Sequence, residues 1–245
     1  AESKFNLTKF ASNQPAVVAS ISGESQVLPI INPTSDHLKT VLGVWWDTQR
    51  DELLVGDFAI DPVVFTKRGV LSVIMSLYNP LGLFDPIVCT AKIILRCIFE
   101  YRGSWDEPLM PEQDESFRRW LLSIRKLRGL RIPRWTGLLN TVRRELHLFC
   151  DGAHPAYGCC AYRRLVSSNG EVRCALILAK TKVCPKQGKL TIPRIELCAA
   201  VLACRMSVLL CEELDGEFDA IWIWTDSTST LAYIRNETTR FHIFV

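Results

Sequence analysis

The sequence has no apolar run long enough to cross a membrane. Its longest, Ile87 to Phe99, is interrupted by Lys92 and Arg96, well short of the ~20 residues a span needs. No signal peptide opens it, and Ala1-Glu2-Ser3-Lys4 has no methionine; with the strand-like ending Phe241 to Val245, both ends are expected to be cut from something longer. No Asp-Asp pair is present, so no polymerase centre is carried here. No Asp-Thr-Gly or Asp-Ser-Gly word is present either. Asp47-Thr48-Gln49, Asp151-Gly152-Ala153 and Asp226-Ser227-Thr228 come nearest, and none completes the paired turns of an aspartic peptidase.

No Cys-x-x-Cys pair occurs among the ten cysteines. They sit in apolar stretches such as Val88-Cys89, Arg96-Cys97-Ile98 and Leu209-Leu210-Cys211, where a thiol acts as a small hydrophobe. A chain of 245 residues buries enough core to need no staples, which favours a reducing compartment. His147, Cys150, His154, Cys159 and Cys160 crowd together, but strand alternation puts His147 and Asp151 on one face and Cys150 on the other, so a zinc site is not expected. The formal net charge of +3 is too small to announce a nucleic-acid binder, so that case rests on where the charge sits. With 48% hydrophobic and 22% charged residues, the composition is that of a folded globular chain.

What is present is an ordered change of period. A short helix is expected from Pro15 to Ile21, capped by Ser12 or Asn13. Val41–Trp46 and Leu53–Ile60 read as a hairpin across a turn at Asp47–Asp51. Helices are expected from a Thr66 cap to Tyr78, from Ile87 to Tyr101 and from Pro111 to Gly129, with Asn79-Pro80-Leu81-Gly82 ending the first. From 145 the alternation becomes that of strands: Glu145–Asp151, Tyr157–Arg163 and Val172–Thr181, with turns at Gly152–Pro155 and Ser167–Gly170. A long helix follows from Pro193 to about Leu214, then a strand Ala220–Trp224 and a short helix Ser227–Arg235. The order β-β-β-α-β-α implies an α/β fold with a mixed sheet. The fully apolar Ala220–Trp224 suits an interior strand covered on both faces, and its helical connection implies parallel pairing.

Three acids stand at particular places in that order. Asp151 ends the first strand, Glu196 lies in the opening turns of the long helix, and Asp226 follows the fourth strand. If the first and fourth strands are neighbours, their ends set two carboxylates side by side. Ala199, Ala200 and Ala203 let the helix lie close enough to add the third. Clustered carboxylates repel unless a cation neutralises them, and hard oxygen ligands suit Mg²⁺ or Mn²⁺. Two such ions ~3.5–4 Å apart serve phosphodiester cleavage. Taken singly, Asp151-Gly152 reads as a turn former and Asp226-Ser227 as a helix cap; only their convergence points to chemistry.

The words around these acids carry a resemblance. Phe149-Cys150-Asp151-Gly152-Ala153 with Ala156-Tyr157-Gly158, Ala179-Lys180-Thr181-Lys182-Val183, Ile192-Pro193-Arg194-Ile195-Glu196-Leu197 and Trp224-Thr225-Asp226-Ser227-Thr228 resemble a ribonuclease H domain of the Pao/BEL class of LTR retrotransposons, also called the Pao retrotransposon peptidase family. Upstream, Val41-Leu42-Gly43-Val44-Trp45-Trp46, Thr66-Lys67-Arg68, Asn79-Pro80-Leu81-Gly82-Leu83-Phe84-Asp85-Pro86 and Trp105-Asp106-Glu107-Pro108 are similar to the same family, so the likeness covers nearly the whole chain.

The resemblance implies a piece of a Pol polyprotein. Residues 1–65 would end a reverse transcriptase palm, 66–135 would form a helical thumb or connection, and 145–245 an incomplete ribonuclease H-like domain. It implies cleavage of the RNA strand of an RNA–DNA hybrid, with Asp151, Glu196 and Asp226 as three of four acidic positions holding two Mg²⁺ or Mn²⁺ ions. The fourth acid and the last strand and helix would lie beyond Val245. Implied partners are the hybrid and the polymerase and integrase segments of the polyprotein, with no membrane and no small-molecule substrate. The implied location is intracellular, in a cytoplasmic virus-like particle with a nuclear phase.

Arg118 to Arg144 holds Arg118, Arg119, Arg125, Lys126, Arg128, Arg131, Arg134, Arg143 and Arg144 with no acid. The bland reading is a solvated helix face and a linker. Its place between the helical and nuclease-like parts makes phosphate contact the preferred expectation, extended to Ser227 and Thr228 beside Asp226. Trp120 and Trp135 are expected in core or anchoring roles, with stacking on bases as the alternative. Two readings of the whole stay open: a metal-dependent nuclease, or an inactive remnant that only binds nucleic acid.

Overall fold

In a computed structural model of the chain, the described residues are 12–14, 16–17, 20, 38–41, 44–54, 65–127, 129–185, 190–214 and 218–238. They fall into two compact units, one built from Ala1–Ala59 and Arg125–Trp135, the other from Ile60–Ile124 and Thr136–Val245.

The first unit is a small antiparallel sheet. Strands β1 (Leu38–Val41), β2 (Val44–Asp47), β3 (Glu52–Leu54) and β4 (Arg131–Pro133) pair in sequence order. The expected hairpin is present as β2–β3, with Trp45 opposite Leu54. Its first strand begins earlier, however, and divides into β1 and β2, which pair with each other. Asp47 makes the turn by accepting from the N–H groups of Gln49 and Arg50. Burial works against its charge, yet the Arg131 guanidinium and those two N–H groups together hold its carboxyl below the usual range. Near the N-terminus, Ala16, Val17 and Ser20 are helical and Ser12 Oγ accepts from Gln14 N. The return strand beyond Leu54, Arg128 and the Phe241–Val245 run lie outside the described residues.

The second unit opens with three helices, α1 (Lys67–Met75), α2 (Asp85–Glu100) and α3 (Pro111–Arg125, whose last residue belongs to the first unit). Thr66 caps α1 by accepting from Gly69 N at 3.1 Å. The expected helices therefore exist, though α1 stops before Tyr78 and α3 before Gly129. The stretch 66–135 is shared between the units, because its last segment supplies β4 to the N-terminal sheet. Trp120 is core: it is buried, stacks on Phe117 at 5.3 Å and donates to Ile87 O. Trp135 is about half exposed.

The upstream sequence words find structural reasons here. Thr66-Lys67-Arg68 meets Trp105-Asp106-Glu107-Pro108 through a Thr66–Pro108 bridge and a two-bond Arg68–Asp106 pair. Buried Lys67 donates to Tyr101 O and Gly103 O, where the C-terminus of α2 favours a cation. In the Asn79-to-Pro86 word, Leu81 O accepts from Ala179 N. Gly82 has φ of +68°, and a Cβ there would lie 1.9 Å from Ala179 O; only glycine permits both the backbone conformation and the approach.

The remainder is a mixed sheet. Strands β5 (Thr141–Ala153), β6 (Ala156–Ser167) and β7 (Val172–Val183) are followed by α4 (Ile192–Glu213), β8 (Ala220–Trp224) and α5 (Thr228–Arg235). The spatial order is β7-β6-β5-β8, with β8 parallel to β5 and the other pairings antiparallel. Period-2 alternation buries Leu146, Leu148 and Cys150 of β5 with Cys159 and Ala161 of β6 beneath α4. Ile195, Ala199, Leu202, Ala203, Met206 and Leu210 answer from α4 at helical spacing. The fully buried Ala199 and Ala203 remove the bulk that would hold the helix off the sheet.

One expectation is corrected. Among the described residues β8 is an edge strand, and Ile221, Trp222, Ile223 and Trp224 are each between 39% and 47% exposed. Its apolar run does not mean cover on both faces: Trp222, Trp224, Phe149 and His147 stack on one another on the face opposite α4. Trp224 Nε1 donates to His147 Nδ1, and His147 faces Glu145, which Arg164 pairs at 2.6 Å. The ten cysteines are all free thiols, buried at Cys89, Cys150, Cys159 and Cys184 but exposed at Cys97. Burial pushes Cys150 up to about 11 and Cys159 up to about 12, so these behave as inert core groups. No helix among the described residues is long and apolar enough to cross a membrane.

Candidate metal centre and nucleic-acid interface

The parallel β5–β8 pairing sets Phe149 opposite Trp224, so the chain leaves both strands at the same end of the sheet. Asp151 lies two residues past Phe149 and Asp226 two past Trp224. Helix α4 crosses that end, and Glu196 is its fifth residue. One carboxylate oxygen from each of Asp151, Glu196 and Asp226 lies within 4.8 Å of the others. Asp151 and Asp226 are exposed, while Glu196 is partly covered.

Gly152 makes the convergence sterically feasible. It belongs to β5, not to the expected turn, which is confined to His154-Pro155 between Ala153 and Ala156. A Cβ at Gly152 would lie 2.7 Å from Ile195 O and 2.9 Å from Glu196 N. Its N–H donates to Asp151 Oδ1 at 2.7 Å. Asp-Gly by itself suits a turn; the signal in the sequence for the contact is that a glycine inside a strand marks close backbone approach.

Burial, then the charges of Asp151 and Asp226, raise the Glu196 carboxyl above its ordinary value, with only partial opposition from Gly152. Glu196 Oε2 is buried without a hydrogen-bond partner. An acceptor-only, like-charged group of three hard oxygens with one buried lone oxygen fits a divalent cation of the Mg²⁺ or Mn²⁺ type.

The raised carboxyl has a consequence for stability. Folding favours protonated Glu196, so its stabilising contribution is complete below about pH 4 and is lost as pH rises through the folded value. In EDTA at neutral pH, Glu196→Gln is expected to melt above wild type. The gap should close towards pH 4, as read by thermal melts across that range. Equal midpoints at pH 7 would mean the three acids do not strain the fold.

The expected nucleic-acid residues are dispersed. Arg118 and Arg119 pair with Asp114 and Glu115 one turn earlier on α3. In the other unit, Arg131 binds Asp47 and Glu52, and Arg134 binds Asp51 while covering Trp46. Arg125 and Lys126 are exposed. Arg143 pairs with Glu145 at 2.7 Å, so the acid-free run draws acids from outside itself, and at least five of its cations are paired. Ser227 is the N-cap of α5, its Oγ accepting from Thr230 N, and Thr228 is exposed in the first turn. Among the described residues the cluster able to hold a metal is the carboxylate triad.

A mixed four-stranded sheet with a helix across one face is a ribonuclease H-like α/β fold. Residues 66–227 match the family described as Pao retrotransposon-like RNaseH-like domain, well over half of the chain, and the chain belongs to that family. It is a Pao-class retrotransposon Pol region of ribonuclease H-like type. No curated protein matches it.

Proposed function

We propose that the chain is the nuclease portion of a retrotransposon Pol protein and hydrolyses the RNA strand of RNA–DNA hybrids at Asp151, Glu196 and Asp226. The observation that carries this reading is the meeting of three carboxylates, 45 and 30 residues apart in sequence, within 4.8 Å. Bound Mg²⁺ or Mn²⁺, as a pair of ions, would supply Lewis acidity at the scissile phosphate and acidify the attacking water. Asp151 and Asp226, exposed at the two strand ends, would hold the ions on the side open to substrate. Glu196 would bind from the helix side, where its buried oxygen has no competing donor. Gly152 positions Asp151 through its N–H and admits the α4 backbone.

The reading of residues 1–65 as the end of a polymerase palm, and of polymerase and integrase as neighbours in one polyprotein, rests on the motif resemblance. So does an intracellular, particle-associated location.

The test uses the full chain with Mn²⁺ and matched end-labelled substrates. Hybrid is expected to be cut in its RNA strand, with double-stranded DNA left intact and EDTA abolishing cleavage. Binding of hybrid without any cutting by a chain extended past Val245 would favour the alternative, a remnant that only binds nucleic acid.

A further inference from the structure

A second feature lies beside the carboxylates, between α2 and the end of β7. Lys92, Leu95, Arg96 and Phe99 follow one another at i, i+3, i+4 and i+7, so they share one face of α2. That face and the segment Thr181–Pro185, with Tyr157, line an open cleft of about 650 Å³, within the range of ligand sites.

Its chemistry is one-sided. Lys92, Arg96 and Lys182 line it, and no acid does. Arg96 Nη1 donates to Cys184 O, while its Nε is buried without a partner. Thr181 Oγ1 is also buried and unpartnered. With Lys92, Arg96 and Lys182 in its lining, the cleft offers positive charge to an anionic acceptor. It also offers a ring, since Phe99 is 40% exposed. A phosphodiester with an unpaired base satisfies both demands: phosphate on the cations and base on the aromatic face. An open cleft of this volume takes one nucleotide at the surface.

Position supplies the third argument. Thr181 pairs with Gly158, which pairs with Asp151. Directly paired residues share a face, so the cavity begins two strand spacings, about 10 Å, from the first acid. A strand leaving the carboxylates along this end of the sheet reaches the cavity within a few nucleotides.

We propose that the α2–β7 cleft binds an unpaired nucleotide in a single-stranded tail of the substrate, with Lys92, Arg96 and Lys182 holding its phosphate and Phe99 its base. The proposal rests on the nucleic-acid reading above and adds a site outside the carboxylate centre.

The test measures fluorescence anisotropy of the full chain with a labelled blunt hybrid and with the same hybrid carrying a six-nucleotide DNA tail. The tail is expected to tighten binding about tenfold. Lys92→Ala/Lys182→Ala should remove that gain and leave blunt-hybrid binding within about twofold; Phe99→Leu should remove part of it. Equal affinity for blunt and tailed substrates, a gain that survives the double variant, or displacement of the tail by polyglutamate as effectively as by oligonucleotide would each overturn the proposal. Cleavage of the blunt hybrid by the same preparations separates the two readings. Cutting without a tail effect removes the cleft and leaves the nuclease; a tail effect without cutting does the reverse.

Discussion

Asp226→Asn is expected to slow cleavage of the RNA strand by at least about 10³-fold at saturating Mn²⁺ while leaving the fold intact. The magnitude follows from what a ligand carboxylate contributes. Metal ions at a phosphoryl centre supply several kcal/mol of transition-state charge stabilisation. At about 1.4 kcal/mol per decade, losing roughly 4 kcal/mol is a thousandfold. Asparagine keeps the shape and one oxygen but loses the charge, so the effect belongs to cation binding rather than packing. Ser227→Ala is the informative neighbour. Ser227 caps α5 through Thr230 N, and losing such a cap costs about 1 kcal/mol of stability. It should lower the melting point with less than a tenfold change in rate. Activity of Asp226→Asn within tenfold of wild type would remove the carboxylate centre from the mechanism.

How far the site could be read from sequence depended on the range of the interactions. Strands β5 to β7, α4 and α5 were legible because each carries a period over eight or more residues, and the helix between Val183 and Ala220 forced β8 to run parallel. From that topology the meeting of Asp151, Glu196 and Asp226 could be anticipated without side-chain detail. Strand β8 was misjudged because an apolar run reports burial preference and says nothing of position in the sheet; its tryptophans stack along one face and stay accessible.

The partners of the basic run were hidden for a related reason. Arg131 and Arg134 look unopposed along the chain, yet β4 pairs with β3 across a separation of nearly eighty residues and carries them to Asp47, Glu52 and Asp51. A three-residue strand leaves no periodic trace. Arg118 and Arg119 were more readable, since Asp114 and Glu115 stand four residues earlier on the same helix. The cavity residues Lys92 and Arg96 first appeared only as charges that broke an apolar run; their common face becomes meaningful once β7 lies opposite.

Gly152→Val carries the second large effect and tests whether the fold and the site depend on one contact. Even the first carbon of the new side chain would stand 2.7 Å from Ile195 O and 2.8 Å from its carbonyl carbon. Both are backbone atoms of a 22-residue helix, so no rotamer change relieves the clash. Either β5 bends or α4 lifts at its N-terminal end. Overpacking of this kind costs about 3 kcal/mol, or roughly 6–12 °C in melting temperature for a domain of this size. The lift also carries Glu196 away from Asp151, so cleavage by the folded fraction should fall together with affinity for Mn²⁺. Gly170→Val provides the comparison, because nothing lies within 4 Å of its added carbon although its φ of +83° strains any side chain. That variant should lose stability without losing metal affinity. If Gly152→Val instead melts like Gly170→Val and binds Mn²⁺ as wild type does, close approach of α4 to β5 is not what sets the acids together.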